Sequence, residues 1–206
     1  APGEFSLPEG ACDCEGNILD ACGICNGEEE CFVYTKPLNN GSNLISFWAL
    51  PEDTSIANVM SSLGTNVNGV IGEGVAASQI SPGQWVGSLS DISYTSGYWV
   101  KLENSDTLTL DGYLNENTVY ELNVGSNLIS YPFPGSMDIS LSIPDITEGY
   151  FTGIIGEGVA ASQIAPQTWV GSLNELQGGN GYWVKVTYPF EFSFTHPDSV
   201  IIVSPQ

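Results

Sequence analysis

The sequence contains no arginine and only three lysines, against 24 aspartates and glutamates, so its formal net charge is −21. Proteins that bind nucleic acids use lysine and arginine to displace counterions from phosphates, and peripheral membrane proteins use them to meet anionic lipid headgroups. Three lysines supply neither surface. The composition therefore argues against nucleic acid as a partner, and no apolar run approaches the roughly 18 residues that membrane insertion requires.

Cysteine is absent after residue 31. The five cysteines fall in one short stretch: Cys12, Cys14, Cys22, Cys25 and Cys31. This local density is typical of a disulfide-stapled segment in an oxidising, extracellular compartment. Because five is an odd number, two disulfides leave one thiol, and the connectivity cannot be read from the sequence. The chain begins Ala-Pro, so we expect a secreted protein whose signal peptide has been cleaved.

The remaining composition is that of a folded β protein. Hydrophobic residues make up 42% of the chain and aromatic residues 11%, which is too apolar for a disordered acidic tail. The 24 glycines and 12 prolines predict many turns, and the 13% of charged residues leave a largely uncharged polar surface. A mainly β fold follows from this composition.

A tandem repeat is the strongest pattern in the sequence. Residues 41–102 align with residues 125–186 at a constant offset of 84, and 28 of the 62 aligned positions are identical, including GSNLIS, IGEGVAASQI, WVGSL and GYWVK. Such self-similarity indicates a duplicated structural unit. We therefore predict a cysteine-rich segment (1–31), a first β module (32–112), a linker (113–118) and a second β module (119–206).

Each repeat predicts mostly strands, because short apolar runs alternate with glycine-rich turns. We expect two small homologous modules of sandwich-like or barrel-like architecture. The first should contain a short helix capped by Asp53 or Thr54, with apolar residues at helical spacing over 56–63 and a left-handed Gly64 at its end. In the second module Pro144 interrupts this segment, which should be extended or at most one helical turn.

The GSNLIS and GYWVK motifs resemble the G-W-N-L-I-S…G-Y-W-I-K repeats of secreted, surface-layer-like proteins of bacteria and archaea. The resemblance covers both copies and departs from the family at Ser42 and Ser126, where the family has tryptophan. It implies an extracellular, non-catalytic module without active-site residues. The cysteine stretch is similar to C-x-C…C-G-x-C segments of secreted proteins, including the cysteine-rich part of thrombospondin-type metalloproteases.

The cysteine-rich segment also carries a set of oxygen ligands. Asp13, Glu15, Asn17 and Asp20 lie in a glycine-containing loop, and Ca²⁺ prefers such carboxylate and amide oxygens. The loop lacks the EF-hand pattern and its bidentate glutamate. Disulfides are the preferred interpretation of the segment, no cofactor is required, and Ca²⁺ is the one metal that the sequence leaves open.

Residues for catalysis are sparse. The sole histidine, His196, precedes a proline at the end of an alternating strand, and no nucleophile elbow accompanies it. Glu73 and Glu157 occupy the duplicated IGEGVAASQI segment, where a glutamate between glycines is typical of an exposed turn, although two carboxylates could hydrolyse a glycosidic bond. We therefore predict that the protein is not an enzyme.

Two kinds of interaction remain as hypotheses. The C-terminal segment contains an apolar run, Val200, Ile201, Ile202 and Val203, which either closes the second module or pairs with another chain. The second option predicts a structural subunit that binds itself in a filament, surface layer or matrix. The alternative is a polysaccharide-binding module whose sites are built from Trp85, Trp99, Trp169 and Trp183. Since neighbours in GYWVK alternate between faces, one of its two aromatics must belong to the core.

Overall fold

The computed structural model describes residues 11–12, 17–19, 25, 31–115 and 117–199. The protein is mainly β, as the sequence predicts, and its strands pair antiparallel in several sheets. The strands are β1 (Phe32–Leu38), β2 (Gly41–Ile45), β3 (Ala49–Leu50), β4 (Val67–Gly72), β5 (Val75–Ser81), β6 (Gln84–Gly87), β7 (Tyr98–Leu102), β8 (Asp106–Leu114), β9 (Tyr120–Leu122), β10 (Gly125–Ser130), β11 (Ser136–Asp138), β12 (Phe151–Gly156), β13 (Val159–Ala165), β14 (Thr168–Gly171), β15 (Glu175–Gln177), β16 (Gly181–Val186) and β17 (Phe190–Phe192).

We call residues 32–114 the N-terminal half. It contains a five-stranded sheet of order β2-β7-β4-β5-β6 and a three-stranded sheet of order β1-β8-β3. One hydrophobic core combines side chains of both sheets, with Tyr34 and Leu108 from the smaller sheet and Val70 and Val100 from the larger. Strand β8 continues to Leu114, two residues into the segment that the sequence predicts as a linker.

We call residues 117–199 the C-terminal half. Its five-stranded sheet has the order β10-β16-β12-β13-β14, which corresponds strand for strand to the larger sheet of the N-terminal half. Two-stranded ladders β17-β9 and β11-β15 accompany it. A second hydrophobic core contains Tyr120, Tyr131, Phe151 and Phe192. Each half therefore has a core of its own.

The helix of the N-terminal half begins later than its sequence suggests. Helix α1 (Ile56–Val59) is capped by Ser55, whose hydroxyl accepts from the backbone N–H of Asn58. Asp53 instead accepts from the N–H of Ser55 at 3.0 Å, which holds Ser55 in the extended conformation of a cap. A 3₁₀ turn (Ser61–Leu63) follows, and Gly64 has φ +54° with ψ −124°, which is not the left-handed helical conformation that we expected.

The corresponding segment of the C-terminal half forms two separate turns. Helix α2 (Ile139–Ser142) is capped by Asp138, and helix α3 (Asp145–Glu148) begins directly after Pro144. Proline ends the first turn because it has no N–H to donate, and its fixed φ suits the start of the second. The segment thus has one helical turn more than the sequence predicts.

The N-terminal segment is described only in part. A disulfide joins Cys12 to Cys25, with Cα atoms 5.6 Å apart, and Cys31 is also disulfide-bonded. These bonds confirm the predicted staple, while Cys14 and Cys22 lie outside the described residues. Within the part of the chain that the structure describes, no helix is long and apolar enough to cross a membrane.

Candidate functional site

The two halves meet along the edges of their five-stranded sheets. The backbone N–H of Leu44 in β2 donates to Oε2 of Glu157 at 2.8 Å. The N–H of Leu128 in β10 donates to Oε2 of Glu73 at 2.7 Å. The two contacts are related by the offset of 84 residues. Each half therefore binds the strand edge of the other half through the equivalent glutamate.

Backbone bonds extend this reciprocal pattern. The N–H of Ser46 donates to the carbonyl of Gly179 at 3.0 Å, and the N–H of Ser130 donates to the carbonyl of Thr95 at 3.2 Å. Isolated bridges join Ile45 to Asn180 and Ser96 to Ile129. Each contact from the N-terminal half to the C-terminal half is matched by an equivalent contact in the reverse direction. Such reciprocal contacts are typical of an isologous interface, which here lies within one chain. The junction covers both strand edges, which would otherwise present unpaired backbone groups.

Two glycines permit this close approach. A Cβ on Gly97 would lie 2.8 Å from Cδ1 of Leu128, and a Cβ on Gly181 would lie 2.7 Å from the carbonyl oxygen of Ile45. Both glycines open the GYWVK motif of their repeat, so a feature shared by the two copies serves the junction. We did not anticipate this role from the sequence.

Two clefts lie on opposite flanks of the junction. The larger has a volume of about 710 Å³ and contains Lys36, Glu157 and Asn180. The smaller has a volume of about 550 Å³ and contains Glu73, Ser96 and Tyr120. In the N-terminal half, Lys36 of β1 pairs with Leu108 of β8. The pair that lies 84 residues later, in the C-terminal half, is Tyr120 of β9 with Phe192 of β17. By this register the lysine of the larger cleft occupies the place of the tyrosine in the smaller one.

Lys36 is half-buried in the larger cleft, which we call the Lys36 cleft. Its ammonium donates to Oδ1 of Asn180 in the other half. Burial lowers the pKa of Lys36, and the carboxylate of Glu157 opposes that shift. Lys101 and Lys185 are counterparts at the repeat offset, whereas Lys36 has none.

The four predicted tryptophans separate into two pairs. Trp85 and Trp169 pack against the hydrophobic cores of their halves. Trp99 and Trp183 are half-buried and lie on the outward side of their sheets, because Tyr98 and Tyr182 occupy the inward positions of the same strands. The alternation expected for GYWVK is therefore confirmed, and an aromatic surface is restricted to the second pair.

Glu73, Glu157 and His196, the residues considered for catalysis, do not come together in one cluster. Glu73 and Glu157 do lie in tight turns, but each carboxylate is engaged by a strand edge of the opposite half. His196 is exposed, contacts the ring of Phe133 edge-on with centroids 4.9 Å apart, and lies 3.8 Å from Asp198. The sequence feature that points to these two glutamates is the identity of the IGEGVAASQI decapeptide, since the two copies differ at many other positions.

Two predicted sites fall largely beyond what the structure describes. Of the calcium candidates only Asn17 is described, and its backbone carbonyl accepts from the N–H of Cys12 at 2.8 Å. Asp13, Glu15 and Asp20 lie outside the described residues, as does the whole apolar run 200–203. Among the residues that are described, no cluster of three histidine, cysteine, aspartate or glutamate side chains could hold a metal.

A comparison with protein-family models, curated proteins and solved structures found no match to this chain.

Proposed function

We propose that the chain is an extracellular structural subunit, built from two homologous β modules, that self-assembles into a filament, surface layer or matrix. The observation that carries this proposal is the outward side of the five-stranded sheets. We call the two surfaces outer face 1 and outer face 2. Outer face 1 comprises Ser42, Gly69, Ile71, Ala76, Ser78, Val86, Trp99 and Lys101. Outer face 2 comprises Ser126, Gly153, Ile155, Ala160, Ser162, Val170, Trp183 and Lys185.

The two outer faces are identical in sequence at all of these positions. Most inward positions of the same sheets are also identical, such as Ile45 and Ile129 or Val100 and Val184, although Val70 of one half corresponds to Ile154 of the other. Exposed positions without a partner usually tolerate substitution at little cost in stability. Exposed positions that stay identical in the two copies therefore support a shared contact on the outer faces.

The chemistry of the outer faces suits contact between acidic copies. Ile71 and Val86 are 56% and 58% exposed, and Ile155 and Val170 are 54% and 55% exposed. None of the positions in either face is acidic, although the chain carries 24 carboxylate side chains, and each face contains a lysine. Burial of apolar surface lowers the free energy of the system, and the outer faces place no carboxylate of their own against a second copy.

Two equivalent faces make each molecule divalent. If one face binds the face of a second copy, the other remains available for a third, and the assembly stays open. The apolar run Val200–Val203 offers a further contact, by adding as a strand to an edge of another copy. Strands β6 and β14 are the outermost strands of the two large sheets and are its acceptors in this proposal.

The test uses the full chain with one carboxylate placed in each face, Val86→Glu with Val170→Glu. Both sites are exposed, so the fold should persist while burial of a charge opposes association. Sedimentation velocity and negative-stain electron microscopy at about 0.1 M salt, where charges beyond ~10 Å are screened, should show polymers of the unaltered chain and monomers of the variant.

Two controls make this test specific. Ile146→Glu alters an 86% exposed side chain outside the outer faces and should leave assembly unchanged. Deletion of 200–206 tests the strand contact separately, and normal polymers from the truncated chain would remove that part of the proposal. Polymers of the double glutamate variant indistinguishable from those of the unaltered chain, or a strictly monomeric unaltered chain, would overturn the proposal.

A further inference from the structure

We propose that the Lys36 cleft binds a neutral, hydroxyl-rich ligand, with the sugar rings of an oligosaccharide as the chemical class. The site is distinct from the outer faces and does not depend on self-assembly. Its volume of about 710 Å³ falls within the range of roughly 300–1,000 Å³ typical of small-molecule sites. Its walls come from both halves, with Lys36 in β1, Glu175 in β15 and Glu157 in the turn between β12 and β13.

The polar groups of the cleft are only partly used by the protein. An ammonium has three donors, and Lys36 directs one to Asn180. Glu157 accepts from Leu44 through Oε2, and Glu175 accepts from the hydroxyl of Ser136 through Oε2 at 2.8 Å. Within the described residues, the second oxygen of each carboxylate has no hydrogen bond. The cleft therefore offers both donors and acceptors to a ligand.

The charges in the cleft select against charged ligands. Two carboxylates, Glu157 and Glu175, repel an anion, and the net charge of −21 on the chain adds to that repulsion. The half-buried ammonium of Lys36 repels a cation at close range. A neutral ligand avoids both repulsions if its neighbouring atoms donate hydrogen bonds to the carboxylates and accept one from the ammonium. Adjacent hydroxyl groups of a sugar can do this without carrying a charge.

The smaller cleft provides an internal comparison. It has Tyr120 where the larger cleft has Lys36, and it is not lined by a counterpart of Glu175. Each cleft contains two carboxylates, Glu157 and Glu175 in the larger and Glu73 and Glu121 in the smaller, but only the larger carries a lysine, the one lysine without a repeat counterpart. Since the junction itself forms in the same way on both flanks, this lysine is not required for its reciprocal contacts.

The experiment is a titration of the isotope-labelled full chain carrying Val86→Glu and Val170→Glu, which should be monomeric, with maltose, cellobiose, lactose and chitobiose, followed by backbone amide NMR. At least one disaccharide should produce saturable shifts at Leu44, Glu157 and Asn180. Lys36→Met should weaken binding by about tenfold, as expected for loss of a hydrogen bond to a charged group. Asp91→Asn, at the repeat counterpart of Glu175 and outside both clefts, is the control and should bind normally.

Further arms distinguish the alternatives. Glu175→Gln alters an exposed residue, so its folding is secure, and it should also weaken binding. Glucuronate and glucosamine should bind more weakly than the corresponding neutral sugar. The proposal is overturned if no sugar gives saturable shifts, if the shifts fall at Trp99 and Trp183 instead, if a charged sugar binds best, or if Lys36→Met binds as the unaltered chain does.

Discussion

Trp85 of the N-terminal half and Trp169 of the C-terminal half occupy equivalent positions in the two five-stranded sheets, but the residues around their indoles differ. In the C-terminal half, Glu148 is 1% exposed, and its carboxylate accepts from Nε1 of Trp169 at 2.8 Å and from the N–H of Gln167 at 2.7 Å. In the N-terminal half, Gly64 stands at the aligned position. There Nε1 of Trp85 is buried, with no hydrogen-bond partner among the described residues.

The difference follows from the local chain path rather than from the sheet. Pro144 starts a separate helix α3, which ends on Glu148 and brings its side chain over β14. In the N-terminal half the 3₁₀ turn leads instead to Gly64, whose φ of +54° disfavours any side chain. A buried donor without a partner costs about 1–3 kcal/mol. We infer that the two halves reach the same fold with different local stability.

The largest expected effect is at the buried carboxylate. Glu148→Ala leaves Trp169 Nε1 and the N–H of Gln167 without an acceptor, so we expect a loss of about 3 kcal/mol in the free energy of unfolding. Glu148→Gln retains one acceptor and should cost less. Urea denaturation compares the two variants. A Glu148→Gln variant as stable as the unaltered chain would mean that the volume of the side chain, not its carboxylate hydrogen bonds, stabilises this corner.

A smaller effect sharpens the comparison through a matched pair. Trp169→Phe and Trp85→Phe remove similar ring area, but only the first leaves a buried carboxylate short of a donor. We expect Trp169→Phe to be the more destabilising by about 2 kcal/mol, because loss of a charged hydrogen bond adds to the lost packing. Thermal denaturation of both variants measures the difference. Equal destabilisation would contradict our account of the two corners.

The sequence predicts much of the architecture because strand alternation and turn chemistry are local. The residues of GYWVK alternate between the inward and outward faces of their strands, as the pattern predicts. The helix boundaries were less predictable: Ser55 replaces Asp53 as the cap because a single side-chain contact shifts the start of α1. Pro144 predicts the end of a helix, and in the structure it also precedes the first residue of the next turn.

The candidate site was less accessible to sequence reasoning, since its contacts join residues far apart in the chain. The bond from Leu128 to Glu73 spans 55 residues, and the bond from Lys36 to Asn180 spans 144. A glutamate between two glycines has the same local pattern whether its carboxylate meets water or a strand edge. The identity of the outer faces likewise emerges only once the strand register assigns each residue to a side of the sheet.

The most direct test of the central claim is the size of assemblies formed by a chain with one altered face. Val86→Glu in a chain that also lacks 200–206 leaves outer face 2 intact and removes the proposed strand contact, so each molecule should have one binding surface. Sedimentation equilibrium should then find dimers that do not grow with concentration, whereas the unaltered chain forms longer assemblies. Polymers of normal length from this variant would contradict assembly through two equivalent faces.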